Sequence, residues 1–220
     1  MAVGGGVAVA FKSGITQFAE FDKVLTITGN KAEASKEELS NLTKTVKQLA
    51  QETTKTPLEI ANVANSLVTA GFSATETAQA LNGVVKASEA TGESLDVVGN
   101  VIANAINQFG LAATDSTRVA DVLAKVANTS NVSVSGLGES LKFVGTAAQQ
   151  SNQTLEDVSA VLGLLGDAGL QGGQGGRNLA QALTRLNIAS ADLPPELKVL
   201  QKCVKLLNFC KSVHAILIIN

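Results

Sequence analysis

The sequence predicts an all-α fold, a stack of short helices separated by glycine-containing turns and without substantial β-sheet. Three observations carry this. Gly71, Gly92 and Gly110 each close one apolar-periodic stretch and open the next, cutting the chain into pieces of roughly one helix. Ser73, Ser94 and Thr114 follow these glycines after a short gap, where helix N-caps belong. Alternating apolar–polar runs are essentially absent, and no dipeptide announces a hairpin.

In chain order, residues 7–28 form an apolar segment carrying Phe11, Phe18 and Phe21, which Gly29-Asn30 is expected to stop. Residues 35–51 read as a helix with Leu39, Leu42, Val46 and Leu49 at helical spacing, opened by Ser35 and Glu38 as a capping box. Thr56, Pro57 and Glu59 open the next, whose apolar face is Ile60, Ala64, Leu67 and Val68. Ser73 and Glu76 are a third box, before Leu81, Val84 and Val85. Leu95, Val98, Ile102, Ile106 and Phe109 line one face of the following helix, with Asp96, Asn100, Asn104 and Asn107 on the rest. Val119, Val122, Leu123 and Val126 mark another helix, with Asp115 in its first turn. After a polar, loop-like stretch at 128–133 come Val134, Leu137, Leu141 and Val144, then a helix opened by Thr154 with Leu155, Val158, Leu162 and Leu165. Residues 169–176 read as a flexible glycine-rich segment, with helix resuming near Arg177. The spacing of breakers drifts, so the pattern reads as a loose helix–turn succession and not as a repeat array.

Three regions follow: an apolar N-terminal helical segment at 1–30, a helical core at 31–192, and a divergent apolar and basic tail at 193–220. Beyond Leu197 the tail has no glycine and no acidic residue, and it holds both cysteines and the lone histidine. The glycine-rich start lacks the positive flank of a signal peptide and reads as a helix start or the edge of a longer protein.

Composition excludes several function classes. Hydrophobic residues are 45% and charged residues 16%, too apolar for a disordered chain. Aromatics are 3%, with no Trp or Tyr, so the core is aliphatic and stacking platforms for single-stranded nucleic acid are missing. The net charge is −2, and no basic block precedes the tail; no specific nucleic-acid binding is expected.

No residue set calls for a cofactor, metal or catalytic role. His214 has no nucleophile and acid arrayed with it. Cys203 and Cys210 lie two helical turns apart, about 10 Å, too far to bond to each other or to share one ion with His214. The carboxylate pairs Glu37-Glu38 and Glu156-Asp157 sit where helices begin, and the macrodipole accounts for them better than acid–base catalysis does. Gly172-Gly173-Gln174 spells the tripeptide of peptide-release factors without their basic surroundings. A phosphate loop would want a Lys where Arg177 stands and a strand where the sequence reads helix. What remains is a hinge or interaction element at Gly169, Gly172, Gly173, Gly175 and Gly176 that lets two helices pack closely, or an anion seat at a helix start. Asn62, Asn65, Asn100, Asn104, Asn107 and Gln108 stud exposed faces where Lys and Glu are usual, and uncharged faces suit contact with other protein copies.

Read together, Phe21-Asp22-Lys23-Val24, Glu38-Leu39, Leu49-Ala50, Ala70-Gly71-Phe72, the stretch 92–110, Val119-Ala120-Asp121-Val122-Leu123-Ala124 and the stretch 141–148 resemble, in order, the core of phage tail tape measure proteins of the TP901 type. The run Asp167-Ala168-Gly169-Leu170-Gln171-Gly172-Gly173-Gln174-Gly175-Gly176-Arg177-Asn178-Leu179 resembles the family's glycine-rich signature, departing at Gly175, Arg177 and Asn178, where Ala, Thr and Ala are more usual. The resemblance spans roughly residues 10–190. It implies a non-enzymatic structural and assembly component of the virion tail, assembled in the bacterial host cytoplasm. That component takes part in tail length determination and genome ejection. Its partners would be other copies of itself, tail tube and assembly chaperone proteins, and the host membrane. The short length, the abrupt start and the tail after Pro195 read as a truncated or prophage-derived copy. The competing reading from the apolar ends is a membrane-active, pore-forming or holin-like module.

Overall fold

The computed structural model describes residues 4–191, with side chains placed for residues 18–187. Every regular element among them is helical: α1 (Gly4–Lys31), α2 (Lys36–Glu52), α3 (Pro57–Thr69), α4 (Ala74–Thr91), α5 (Leu95–Phe109), a 3-10 turn (Ala113–Asp115), α6 (Ser116–Thr129), α7 (Val134–Gln150), α8 (Leu155–Asp167) and α9 (Gly172–Ala191). The all-α expectation holds. The chain divides into two compact units, residues 1–124 and 125–220, with the boundary inside α6.

Local chemistry fixes most helix starts. The three expected capping boxes are present: the Ser35, Thr56 and Ser73 side chains accept from the backbone N–H of Glu38, Glu59 and Glu76, and each glutamate accepts from its cap's N–H at 2.9, 2.7 and 2.8 Å. Thr154 caps α8 by accepting from Asp157 N at 3.2 Å. Ser94 stands at the N-cap of α5 without a side-chain cap bond. Thr114 is not a cap. It lies inside the 3-10 turn, and Asp115 takes over by accepting from Ala112 N at 3.3 Å.

In all three boxes the bond from the cap's backbone N–H, then that from its side chain, holds the glutamate carboxyl below its ordinary value of 4.5. A carboxyl depressed on folding adds stability that is complete above the unfolded value and lost as pH falls through the folded one. Acidification below about pH 4.5 is therefore expected to lower the urea midpoint. The variant Glu38→Gln/Glu59→Gln/Glu76→Gln should flatten that part of the profile.

Helix ends are equally local. Gly71, Gly92, Gly110 and Gly169 take left-handed backbone at φ 103, 72, 62 and 86°. After α3, α5 and α8 the chain closes Schellman motifs, as where Phe72 N donates to Leu67 O at 3.2 Å and Leu170 N to Leu165 O at 2.8 Å. Two further motifs use residues other than glycine, Glu33 (φ 50°) and Asn152 (φ 52°). Glu33 is exposed and makes no side-chain contact that explains it. Glu33→Gly is expected to stabilise the fold by about 1 kcal/mol in urea unfolding, by relieving the left-handed penalty on an L-residue. The motif at Glu33 also ends α1 later than expected. Gly29-Asn30 lies within the helix, and glycine stands at 29 because α2 packs so closely that a Cβ there would sit 2.9 Å from Leu39.

The structure also revises the reading of the breakers, because the helix caps recur at a nearly regular interval. Even-numbered helices are capped at Ser35, Ser73, Ala112 (through the 3-10 turn) and Thr154, with an acidic residue three places on in each: Glu38, Glu76, Asp115 and Asp157. Odd-numbered helices are capped at Thr56, Ser94 and Ser133. The interval is 38 or 39 residues, stretched to 42 once, before Thr154.

Packing follows the same interval within each unit. In the N-terminal unit α1 meets α3, α2 meets α4 and α3 meets α5. Thr75 Oγ1 donates to Glu38 Oε1 (3.3 Å) near the starts of α4 and α2, and Thr54 N donates to Glu89 Oε1 (3.0 Å) near their ends, so these helices run parallel. Lys31 Nζ to Asn65 Oδ1 (3.0 Å) and Asn107 Nδ2 to Ala70 O (3.1 Å) join the odd helices in the same register. The core of this unit is Leu42, Val46, Ile60, Leu67, Leu81, Val84, Ile102 and Leu123, all essentially water-free. In the C-terminal unit α7 and α9 run parallel, and Leu137, Leu141, Val144, Leu155 and Leu162 are buried. Each unit is thus built from helix pairs in which a helix lies on its counterpart one pair earlier.

Candidate functional site

The glycine-rich segment is more ordered than its composition suggests. Helix α9 begins at Gly172, five residues before the expected start at Arg177. Only Gly169 (φ 86°) and Gly172 (φ 57°) are left-handed; they flank Leu170-Gln171, the short link from α8 to α9. Gly173, Gly175 and Gly176 lie in the first turns of α9, where isolated helix propensity disfavours them.

Contact with α7 explains Gly173 and Gly176, and the link before α9 explains Gly175. A Cβ on Gly176 would run into the backbone of Ser140, 2.7 Å from its Cα and 2.8 Å from its carbonyl carbon. A Cβ on Gly175 would strike the Leu170 carbonyl, and one on Gly173 would approach the Phe143 ring edge at 2.8 Å. Gly175 and Gly176 are buried. The Ser140 hydroxyl donates toward the carbonyls of Gly136 (3.0 Å) and Gly172 (2.6 Å), tying the start of α9 to α7. The Arg177 guanidinium lies over the half-exposed Phe143 ring at 4.7 Å from its centroid, a cation–π contact that fastens the next turn. Farther along, Asn187 Nδ2 donates to Ser151 Oγ at 2.8 Å.

The link is held from the other side as well. Asp167 Oδ1 accepts from Asn131 N at 2.6 Å, and Gln171 Nε2 donates to Asn131 O at 2.5 Å, so Asn131 is clamped through both backbone groups by the residues flanking the turn. The site therefore joins α7, α8, α9 and the turn after α6 through glycine contacts, hydrogen bonds and one cation–π contact.

The other sequence candidates are not gathered into a centre. Glu38 closes a capping box, while Glu37, Glu156 and Asp157 stand in first turns of helices. Among the described residues no three His, Cys, Asp or Glu are grouped so as to hold a metal. Cys203, Cys210 and His214 lie outside the described residues. Sequence reasoning missed Ser140, Phe143 and Asn131; no local motif marks them, because the groups they meet lie roughly thirty to forty residues later in the chain.

With this arrangement in view, comparison with known proteins is decisive. The sequence pattern of the phage-related minor tail protein family matches residues 43–206, which include the whole glycine site and the helices it joins. The chain belongs to that family. The match runs through Pro194-Pro195 into the C-terminal tail, so the minor tail pattern does not end at that seam. The chain is also similar to the tape measure protein of Pneumococcus phage Dp-1, 31% identical over 182 residues. That alignment covers 83% of this chain and 16% of the phage protein, so the chain spans about a sixth of the length of that relative. No solved structure matches it.

Proposed function

We propose that the chain is a packed helical module of a tape measure protein, a non-enzymatic structural and assembly component of a phage tail. The observation that carries this reading is the joint match, a minor tail family pattern over residues 43–206 together with the likeness to the Dp-1 tape measure protein. In this reading the module takes part in tail length determination and genome ejection and resides in the virion tail after assembly in the host cytoplasm. Its partners are other copies, tail tube and assembly chaperone proteins, and the host membrane at infection. The core of the module is residues 31–192. Gly169 and Gly172 are its hinge, and Gly173, Gly175 and Gly176 form the close-packed seat beside it. The membrane-active alternative finds no support in the described helices, none of which is long and apolar enough to cross a membrane.

The fold supports a module that is not itself the measuring part. A ruler gains about 1.5 Å per residue only as a continuous helix, whereas here the chain reverses at each pair. Deleting residues 73–111, one full interval, from the intact phage gene is expected to shorten the tail by on the order of 10 Å, the width of a packed helix. A continuous helix of that length would remove nearly 60 Å. Tail lengths measured by electron microscopy check the ruler claim. Mass spectrometry of purified tails checks the assignment itself, and tails free of this chain's peptides would refute it.

A further inference from the structure

We propose that residues 193–207 form the next helix of the repeat and lay Leu197, Leu200, Val204 and Leu207 on the open apolar face of α9. This stretch lies outside the described residues, and its sequence carries the repeat onward. One interval of 39 residues after Thr154 falls on Leu193. Glu196 then holds the acidic place three on, and Pro194 the first helical place, as Pro57 does in α3. An apolar residue at the cap has a precedent in Ala112, where Asp115 does the capping. Residues 196–207 also repeat residues 38–49 of α2. Seven of the twelve places are identical, among them Glu38, Leu39, Leu42, Val46 and Leu49. Leu42, Val46 and Leu49 are the buried residues of α2, so the copied places are those that pack. Lys202 and Lys205 repeat Lys44 and Lys47, which are exposed. The pattern of the minor tail family runs to residue 206 and so takes in this stretch.

Helix α9 has the surface that such a helix would cover. Its register is fixed by its seat, with Gln171 in the cap place one interval after Ser133. Gly176 meets Ser140 of α7 as Gly99 of α5 meets Val63 of α3; each glycine stands five places after its cap and each partner seven. In that register the places 8, 11 and 12 are buried throughout α3, α5 and α7, those of α3 being Ala64, Leu67 and Val68. In α9 they are Leu179 and Leu183, half-buried, and Ala182, exposed; Leu186 farther along is 45% exposed. The neighbours account for the difference. Helix α3 packs against the even-numbered helix before it, α2, and the one after it, α4. Among the described residues α9 packs against α7 and α8, both earlier in the chain, so the place of an even-numbered successor is open. Helix α9 ends at Ala191. So short a link holds residues 193–207 at high effective concentration beside α9, which favours them over a second copy.

The test uses the full chain with methyl-labelled leucine and valine. Intramolecular NOEs from Leu179 and Leu183 to Leu200 and Val204 are expected, and in a sample mixing differently labelled copies none should join one copy to another. Leu200→Asp/Val204→Asp should speed amide hydrogen exchange across residues 179–183 at least on the order of tenfold, by uncovering that face. Lys202→Asp/Lys205→Asp should leave it unchanged. The wild-type NOEs decide even where the first variant unfolds the unit. Absence of those NOEs, NOEs found only between copies, or equal exchange in the two variants would each overturn the proposal, the second by assigning the face to another copy. None of these readouts depends on whether the chain is found in purified tails, so the two readings fail separately.

Discussion

Gly176→Ala is expected to destabilise the C-terminal unit by about 3 kcal/mol in urea unfolding, at the upper end of what overpacking normally produces. The sign is the test. At an ordinary helix position, replacing glycine by alanine stabilises by about 1 kcal/mol. Here the new methyl meets the Ser140 backbone, and neither a rotamer change nor a small side-chain shift can clear it. Helix α9 must lift off α7, loosening the Ser140–Gly172 hydrogen bond and the seat of Arg177 on Phe143. Gly173→Ala is the matched control. Its nearest neighbours are the Phe143 ring edge and the Arg177 guanidinium, both on side chains that can move, so a change within about 1 kcal/mol is expected. A stabilised Gly176→Ala would show that α9 does not lie against α7 in this way.

The second large effect is expected in the N-terminal unit. Ile102 is fully buried on α5, and Ile102→Ala should cost about 3–4 kcal/mol, the lost transfer energy plus that of a cavity which packed helices refill only partly. Asn104→Ala, two residues on and exposed, should leave stability unchanged or slightly raised. The pair tests the sidedness of α5 by one measurement, the shift in urea midpoint. Similar losses for both would mean that α5 is buried all round.

What the sequence alone revealed and what it concealed differ by range. Capping boxes need residues three apart, so Ser35–Glu38, Thr56–Glu59 and Ser73–Glu76 were readable directly, as were the terminators Gly71, Gly92 and Gly110. Thr114 was misplaced because Asp115, at the other end of the box, does the capping alone. Composition made residues 172–176 look like a loop, whereas the contacts that recruit Gly173 and Gly176 come from α7, about thirty or more residues earlier. Gly29 misled for the same reason, since its constraint comes from Leu39 of the next helix. The repeat was hidden by substitution at equivalent places: Ser, Ser, Ala and Thr at the cap, Glu, Glu, Asp and Asp three places on, with one longer interval. Function was legible chiefly in the signature around Gly169, whose local backbone is a helix stop followed by a tight helix seat.

Seating of α3 on α1, α4 on α2, α5 on α3 and α9 on α7 has a kinetic consequence within each unit. The hydrogen bonds that join such helices link residues only 34 to 37 positions apart in sequence, so these partners do not wait for a distant stretch to be made. At a bacterial elongation rate of roughly 5–20 residues per second, a newly emerged pair would stand without its neighbour for only a few seconds. Each unit can then close pair by pair while the polypeptide is still on the ribosome, hiding its aliphatic surface almost as quickly as it is synthesised.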